Sequence, residues 1–486
     1  MERIECHVKE YKWGKHGCTS EVARLFAAGH KQFQIGPKTP YAELWMGTHP
    51  DGPASVRGTK EKLSSLIAQS DLASYLFNNN DGRNRDEIHL PFIMKIMSIK
   101  HTLSLQVHPT KEQAARLHKK DPKNYPDAHH KPELAYALSR FELLCGFRPA
   151  NEILQNMKAF PELGELMGFD NQKRFELLFY KGVSQDSDKM KNALRKCFSK
   201  MIQAQVDRPA DVEKLLESLK CKIRAGERGC LIEDTVRVME KTWTEFPKDV
   251  GCFAPLYLNH MILEPGECCF YAAEELHAYL SGECVECVGC SNNTIRAALT
   301  PKYIDREALI EVLNYRMTDP AFYMVKPKQL QEFAHVVEYA PDCKDFTLHQ
   351  IKIEENKNSL ITELPTLQCA SIMVIVSGNV KCQERQKDDT KRADDWSDAV
   401  TQVAGRGDIF YIPPQHEIRV TNLSDEEVLA YRTFSFEVGP DHSKRIKHAT
   451  IDKLGFAAIQ DPLHDSANRI NTARFVDETM EMDGCI

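Results

Sequence analysis

Short segments of alternating apolar and polar residues predict β-strands in the first part of the chain. In LSLQVHPTK (103–111), leucine and valine alternate with Ser104, Gln106 and His108, so a strand places these three polar side chains on one face. The preceding segment, LPFIMKIMSIK (90–100), is apolar almost throughout, which is typical of a buried strand. An amide and an imidazole beside such a strand need polar partners, and a metal ion would be one.

The hydrophobic period becomes that of a helix in the middle of the chain. Apolar residues recur every three or four positions in KMKNALRKCFSKMIQ (189–203), RPADVEKLLESLKCKI (208–223) and CLIEDTVRVMEKTW (230–243). This pattern predicts a helical insert over residues 153–250. Strand-like alternation returns at Gly251, so the chain is predicted to be mainly β with one inserted α-helical domain.

A short internal repeat indicates the kind of β architecture. GECCFYAAEELHAYL (266–280) and GDIFYIPPQHEIRV (407–420) share a glycine, an acidic residue, a Phe-Tyr pair and a histidine. A glycine turn followed by a histidine at a strand start favours two cupin-like double-stranded β-helices, or jelly rolls. The predicted domains are a first cupin-like module in two parts (1–152 and 251–330) around the insert (153–250), a C-terminal cupin-like module (331–440) and a C-terminal tail (441–486).

Composition and charge exclude several classes of function. The 486 residues are 42% hydrophobic, and 63 Lys and Arg stand against 70 Asp and Glu, for a net charge of -7. This balance argues against nucleic acid or an anionic membrane as partner. The start, MERIECHVKEYKW, is too polar for a signal peptide, and no apolar run is long enough to span a membrane. The sixteen cysteines are therefore expected to be reduced thiols in a cytoplasmic protein.

Two further segments supply candidate metal ligands. DAHHKPELAYAL contains Glu133 after a pair of histidines, and EELHAY contains His277. With Gln106 and His108 they would form a set of two imidazoles, a carboxylate and an amide oxygen, which suits a divalent metal of the zinc type. Each residue also has a purely structural interpretation, such as a hydrogen-bonded core histidine or an acidic residue in the first turn of a helix.

A cysteine motif offers a competing metal site. Cys284, Cys287 and Cys290 are spaced as in part of an iron–sulfur run, but Thr294 stands where a fourth cysteine is expected. The segment also has the pattern of a strand, in which a spacing of three separates the thiols. Buried free cysteines are the preferred interpretation.

The segments that carry the candidate ligands resemble a known family. YKWGKHGCTSEVARL, YAELWMGTHP, LSLQVHPTKEQAARLH, NYPDAHHKPELAYAL and LCGFRP, and then GCFAPLYLN, HAYLSGECVEC and TPKYID, resemble the type I phosphomannose isomerases, which are zinc-dependent mannose-6-phosphate isomerases. The likeness covers most of 1–150 and 250–310. The C-terminal module resembles the family only in its general pattern of short strands.

The resemblance implies a zinc site, a sugar-phosphate pocket and an aldose–ketose isomerase that feeds GDP-mannose synthesis. In the family, one Zn²⁺ is bound by residues at the positions of Gln106, His108, Glu133 and His277, and the essential arginine corresponds to Arg296. The remaining positions that match the family's pocket are Ser104, His130, Lys131, Tyr279, Glu286, Asn292 and Lys302.

The implied reaction interconverts mannose 6-phosphate and fructose 6-phosphate through a cis-enediol. It needs a general base, and positive charge that stabilises the developing oxyanion. Zinc would polarise or position substrate oxygens, and Arg296 would stabilise the enediolate. Lys131, His130 and Glu286 are all candidates for the base, and the sequence leaves the choice open.

Three positions depart from the family pattern. Leu276 stands where the family has a proline before the zinc histidine, Asn292 replaces an aspartate, and Ala298 replaces a glycine. Asparagine exchanges no proton at neutral pH, and a glycine is needed wherever φ is positive. These departures leave a second hypothesis, a diverged paralogue of low activity that binds sugar phosphate.

An iron-dependent cupin oxygenase is a third hypothesis. His108, His277 and Glu133 could form a triad of two histidines and one carboxylate. Gln106 argues against it, because it occupies a position that oxygen would need. In each case the expected partner is a small molecule, and a monomer is favoured.

Overall fold

The computed structural model describes residues 1–70, 86–355, 361–387, 392 and 394–435, and they are mainly β with one group of helices, as predicted. The strands are β1 (Glu2–Glu5), β2 (His7–Lys9), β3 (Lys15–His16), β4 (Pro40–Tyr41), β5 (Glu43–Met46), β6 (Ser55–Val56), β7 (Phe92–Ile99), β8 (Leu105–Val107), β9 (Glu133–Ala137), β10 (Phe141–Phe147), β11 (Leu258–Leu263), β12 (Cys268–Tyr271), β13 (His277–Gly289), β14 (Ile295–Ala298), β15 (Lys328–Gln329), β16 (Val336–Tyr339), β17 (Thr347–Ile353), β18 (Ile361–Leu364), β19 (Ser371–Ser377), β20 (Asn379–Gln386), β21 (Val400–Gly405), β22 (Ile409–Ile412), β23 (His416–Asn422) and β24 (Val428–Phe434).

The helices of the described residues fall mostly between β10 and β11. They are α1 (Glu21–Gly29), α2 (Leu63–Gln69), α3 (Lys111–Lys120), α4 (Ala150–Ala159), α5 (Pro161–Met167), α6 (Phe169–Tyr180), α7 (Asp188–Asp207), α8 (Pro209–Arg224), α9 (Glu233–Glu245) and α10 (Arg306–Val312).

The first β module is organised around the long strand β13. Its first half pairs with β10 and β8, and its second half pairs with β7 and β9. The neighbouring strands β5, β12 and β14 extend the walls on either side. The enclosed core includes Met97, Ala135 and Tyr271, so one face of each of these strands looks into the module.

A glycine lets β13 serve both halves of this module. Gly282 has φ +109, and a Cβ there would lie 2.5 Å from the carbonyl oxygen of Arg140. The ladder between β10 and β13 shifts register just before this point, which is a β-bulge. Tyr279 and Glu286 are seven residues apart and would face opposite sides of a regular strand, yet both line one pocket.

The inserted helices form a second layer against this module. The stripe predicted on α7 is buried, including Met190, Leu194 and Met201. The Ser187 side chain caps the helix by accepting a hydrogen bond from the backbone N–H of Met190. The insert joins the β module through aromatic contacts such as Phe147–Phe198, with ring centroids 5.6 Å apart.

The C-terminal module packs a sheet of order β15-β16-β17-β24-β19-β22-β1-β6 against the sheet β18-β23-β20-β21. The strand β1 therefore belongs to this sheet, with Glu2 paired to Tyr411, although β2 directly after it joins the first module. A shared apolar core, to which Leu44, Tyr136 and Tyr431 belong, lies between the two modules.

The division of the chain at residues 152, 250, 330 and 440 stays a prediction. The helices of the insert run from Ala150 to Glu245. The tail at 441–486 lies outside the described residues. Within the described part of the chain, no helix has the length and apolarity that crossing a membrane requires.

Replacing Gly282 with alanine should destabilise the protein by roughly 3 kcal/mol or more, because the Cβ adds a main-chain clash to the strain of positive φ. Gly58→Ala is the matched control, since Gly58 has φ +78 but nothing lies within 4 Å of where its Cβ would stand, and it should cost about 1–2 kcal/mol. Urea unfolding measures both. Equal losses would show that β13 tolerates a side chain at this bend.

Candidate metal centre and active-site pocket

Three buried side chains converge at one end of the first module. The Nε2 atom of His108 lies 3.2 Å from one carboxylate oxygen of Glu133, and the Nε2 atom of His277 lies 3.4 Å from the other. The three residues come from the end of β8, the start of β9 and the start of β13. Their ligand atoms all lie within 4.8 Å of one another, a spacing that a single metal ion can bridge.

Both imidazoles are oriented for metal binding. The Nδ1 atom of His108 lies 2.7 Å from the carbonyl oxygen of Asn293, and that of His277 lies 2.9 Å from the carbonyl oxygen of Glu275. Carbonyls only accept, so each Nδ1 carries the proton and each Nε2 presents a lone pair to the centre. The buried Nε2 of His108 has no hydrogen-bond partner within the described chain, which is the state expected of a metal ligand.

Gln106 stands next to this cluster. It is the ladder partner of His277, and its side-chain nitrogen lies 3.5 Å from the His277 Nε2 atom. The Ser104 hydroxyl donates a hydrogen bond to the Gln106 side-chain oxygen at 3.0 Å. The Tyr271 hydroxyl donates to Glu133 at 2.7 Å and thereby fixes the carboxylate.

Burial sets the protonation states of the cluster. It lowers the pKa of His108, and it lowers the pKa of His277 to about 4, so both imidazoles are neutral near pH 7. Burial alone would raise the pKa of Glu133, but the neighbouring His108 and Lys131 hold it well below its usual range. Neutral imidazoles and an ionised carboxylate are the forms that bind a divalent cation.

A pocket opens beside the cluster and contains a buried ion pair. The Nζ atom of Lys95 lies 2.9 Å from Glu286 and 3.9 Å from Glu43. Burial alone would lower the pKa of Lys95, but the two carboxylates outweigh it and raise the pKa. Burial raises the pKa of Glu286 despite its partner. The pocket thus holds a carboxyl group that is easier to protonate than an exposed one.

Most of the predicted site residues meet in this pocket. Lys131 reaches it from the loop before β9, with Nζ 3.6 Å from a Glu133 oxygen. Tyr279 is buried in its wall, where burial raises the pKa of the phenol. The lining side chains are Glu43, Lys95, Met97, Leu103, Ser104, Gln106, Lys131, Glu133, His277, Tyr279 and Glu286.

Five predicted residues are not among those that line the pocket, namely His108 of the metal cluster, His130, Asn292, Arg296 and Lys302. His130 points to the C-terminal module, with Nε2 2.8 Å from Asp345. Asn292 is exposed and donates a hydrogen bond to Asp51 at 3.0 Å. Arg296 is half-buried on β14 as the ladder partner of Gln106, and Lys302 is exposed in the loop after that strand.

The segment before His277 is held by polar contacts in the absence of the family's proline. Glu274 adopts φ +70, and its N–H donates to the carbonyl oxygen of His108 at 2.8 Å. The buried Glu275 carboxylate accepts hydrogen bonds from Asn314 at 2.7 Å and from Tyr323 at 2.8 Å. Leu276 packs in the core, so burial and these hydrogen bonds hold the turn without a proline.

The glycine expected at position 298 is not needed for backbone reasons. Ala298 is buried and does not have positive φ, whereas Leu299 beside it does, with φ +56. The Leu299 N–H donates to Asp249 at 3.1 Å, which stabilises this conformation.

The cysteine motif does not form a metal site. Cys284 packs in the core of the first module, whereas Cys287 packs in the core between the modules, so their thiols do not converge. Both are free, as predicted.

Sequence reasoning missed three residues of the site. Lys95 has a clear signal, because it is the single charged residue between the apolar positions of segment 90–99. Glu43 and Tyr271 have no such sequence signal, since an acidic residue near a strand start and a tyrosine in an apolar strand are common in β proteins.

Comparisons with known proteins agree with this arrangement. The family model described as the catalytic domain of type I phosphomannose isomerase matches residues 1–150, and the one described as its helical insertion domain matches 171–258. The mannose-6-phosphate isomerase of Mus musculus is 40% identical over 385 residues, and that of Homo sapiens is 38% identical over the same length. Each match covers 78% of this chain and 87% of the relative.

Solved structures show the same fold. The apo form of mannose 6-phosphate isomerase from Salmonella typhimurium superposes with a TM-score of 0.68 at 22% identity and covers 90% of this chain and 99% of its own. A mannose 6-phosphate isomerase bound with zinc and yttrium gives a TM-score of 0.63 at 22% identity, with the same coverage. The cupin-like fold with a helical insertion is thereby confirmed, and the chain belongs to the type I phosphomannose isomerase family.

Proposed function

We propose that this protein interconverts mannose 6-phosphate and fructose 6-phosphate and so supplies mannose 6-phosphate for GDP-mannose synthesis. The observation that carries the proposal is the cluster of His108, Glu133 and His277 at the wall of a pocket that holds an ion pair. The relatives that are 38–40% identical are named mannose-6-phosphate isomerases. Turnover of mannose 6-phosphate by the purified, zinc-loaded protein is the direct test, and its absence would refute the proposal.

The donor set fits a zinc ion. Two neutral imidazoles and a carboxylate are typical of catalytic zinc sites, and the unpartnered Nε2 of His108 is aimed at the centre. Gln106 would contribute the fourth protein ligand through its side-chain oxygen with its amide flipped, since the nitrogen faces His277 in this structure. When bound, zinc supplies positive charge that polarises or positions substrate oxygens. The oxygenase hypothesis has no support beyond the same three donors.

Glu286 is the best-placed proton carrier in the pocket. Isomerisation moves a proton from C2 to C1 of the open-chain sugar, and a base with a pKa raised toward neutrality does this most efficiently. Burial raises the pKa of Glu286, and Lys95 at 2.9 Å holds the carboxyl group in place. Lys131 stays a candidate because it lines the same pocket, whereas His130 is bonded to Asp345 outside it.

Positive charge for the enediolate is available from Arg296. It is half-buried next to Gln106 on the neighbouring strand, and no acidic group in the described part of the chain forms an ion pair with it. A guanidinium without a protein counter-ion can bind an anionic substrate. Lys302 and Ser104 stay candidates for binding the substrate.

The surroundings of the three positions that depart from the family pattern support an active enzyme over a diverged paralogue of low activity. Asn292 is exposed and bonded to Asp51, so its change from aspartate removes no carboxylate from the pocket wall. Hydrogen bonds to Glu275 hold the turn at Leu276, and Ala298 does not have the positive φ that would require a glycine. The low-activity hypothesis therefore lacks a structural cause at these three positions.

We infer that the protein is a monomer and that it is located in the cytoplasm. No disulfide joins the cysteines of the described ranges, which suits a reducing compartment. The three donors of the metal cluster all belong to this chain, so a second copy is not needed to complete them.

His277→Ala should lose bound zinc and activity while the fold is kept, because the β core is apolar and does not depend on the metal. His416→Ala is the matched control, since His416 begins the corresponding strand of the C-terminal module and should leave zinc content unchanged. Metal analysis after dialysis and circular dichroism measure the two effects. Stoichiometric zinc in the His277 variant would show the ligand assignment to be wrong.

Lys95→Met should destabilise the protein by roughly 3–5 kcal/mol, because it leaves Glu286 buried without a counter-charge. Adding Glu286→Gln should recover part of this loss. Lys352→Met, which breaks an exposed ion pair with Glu427, should cost less than about 1 kcal/mol. Additive losses in the double variant would mean that the buried pair does not act as a unit.

The same Lys95→Met variant should also shift the pH profile. Removing a positive charge raises the pKa of Glu286 further, and a base must be ionised to act. As the pH is lowered, the variant should therefore lose activity at a higher pH than the wild type does. The acid limb of kcat/KM against pH measures this. An unmoved limb would favour Lys131 as the base.

Asn292→Asp should not raise turnover, because its carboxylate would face that of Asp51 and would not line the pocket. Arg296→Ala should lower kcat/KM roughly 10²–10³-fold, as loss of a donor to an oxyanion does, and Arg296→Lys should recover only part. A tenfold or greater gain in the Asn292 variant would instead support the low-activity hypothesis.

A further inference from the structure

The two β modules share one strand plan. In the first module, hydrogen-bonded ladders join strands in the order β5-β7-β13-β9-β12. In the C-terminal module, the order β16-β17-β24-β19-β22 is joined in the same way. The residues of one module can therefore be matched to those of the other, position by position along the ladders.

Strand ends fix the register of this match. Glu133, the first residue of β9, pairs with Tyr271, the last residue of β12. Ser371 begins β19 and pairs with Ile412, which ends β22. The next strand begins in each module with a histidine that pairs with the strand following β9 or β19: His277 with Cys145 of β10, and His416 with Gln386 of β20.

At this register the charges of the pocket are inverted in the C-terminal module. The ladder pair Lys95–Glu286 corresponds to the ladder pair His349–Arg432. Glu133 corresponds to Ser371. Two acidic positions of the first module are thus occupied by an arginine and a serine, and the positive charge of Arg432 has no acidic partner at the matching positions.

Arg432 is fully buried, with 1% of its surface exposed. Its Nε atom donates to the Ser371 hydroxyl at 2.8 Å, and one terminal nitrogen donates to the carbonyl oxygen of Pro365 at 2.9 Å. The other terminal nitrogen has no hydrogen-bond partner in the described chain. Burial lowers the pKa of Arg432 to about 10, and no carboxylate among the described residues offsets this.

His349 has a second unpartnered atom on the same face. Its Nε2 atom lies 3.2 Å from Glu338, whereas its buried Nδ1 atom has no partner in the described ranges. His349 and Arg432 are direct ladder partners, so their side chains are neighbours. Two buried residues that each carry an unpartnered polar atom are therefore neighbours inside the module.

We propose that Arg432, His349 and Ser371 bind a small oxyanion, a phosphate or a carboxylate, inside the C-terminal module at the position that corresponds to the active-site pocket. The proposal does not rest on the isomerase activity.

The chemistry of the site selects the ligand. A buried guanidinium without a counter-ion is strongly unfavourable, and an oxyanion supplies both the missing charge and an acceptor for the free N–H. Protonated phosphate can also donate a hydrogen bond to the Nδ1 atom of His349. The adjoining cavity is lined only by apolar side chains such as Ile351, Met373 and Ala430, so the hydroxyl groups of a sugar phosphate would be left unpaired there.

The full-length protein, dialysed into chloride, provides the test. We expect inorganic phosphate or acetate to raise Tm by about 3 °C or more over chloride at equal ionic strength, as binding to the folded state requires. Which of the two anions acts distinguishes phosphate from carboxylate. We also expect denatured protein to release the oxyanion for ion chromatography if it co-purifies.

Matched variants assign the effect to the site. Arg432→Met should abolish the dependence on the anion and keep isomerase activity, because Arg432 lies outside the catalytic pocket. Arg419→Met, which breaks an exposed ion pair with Glu363 in the same module, should keep the dependence. If the Arg432 variant fails to fold, Ser371→Ala should weaken binding with the guanidinium in place.

Two outcomes would overturn the proposal. Equal Tm values in phosphate, acetate and chloride, with no oxyanion released on denaturation, would mean that an internal water satisfies the two atoms. A Tm shift that persists in the Arg432 variant would place the anion elsewhere, in the catalytic pocket or at the protein surface.

Discussion

The active site depends on one interruption in the alternation of a single strand. β13 supplies His277 and Tyr279 from its first half and Glu286 from its second half, and only the bulge next to Gly282 turns both halves toward the same cavity. Because Gly282 lies against the main chain of Arg140, the bend is fixed by backbone packing. The distance between the metal cluster and the Glu286 carboxyl group is therefore set by the fold itself.

The metal donors in turn depend on two loops. Asn293, whose carbonyl accepts from His108, is held by hydrogen bonds to Asp127, and Glu275, whose carbonyl accepts from His277, is held by Tyr323. Both loops are places where the chain departs from its family. The carbonyls, and not the exchanged side chains, orient the imidazoles, so the exchanges leave these contacts in place.

Periodicity predicts which face a side chain takes, but it does not predict which strand lies beside it. Alternation placed Gln106 and His108 on one polar face, and the lone charge of Lys95 in an apolar strand was a usable signal. His130 could not be placed from sequence, because it lies in a loop where no period applies, and it bonds to Asp345 from the other module. The pairing of β1 with β22 was equally hidden, since no local pattern encodes contacts so distant along the chain.

The pairing of β1 with β22 has a consequence for folding during biosynthesis. Glu2 is translated well before its ladder partner Tyr411, which follows roughly 20–80 s later at ordinary elongation rates. During this interval β1 lacks its neighbour on one side, while β2 beside it can already join the first module. An unpaired strand edge invites pairing with other nascent chains, so the risk of misassociation lasts until the C-terminal module emerges.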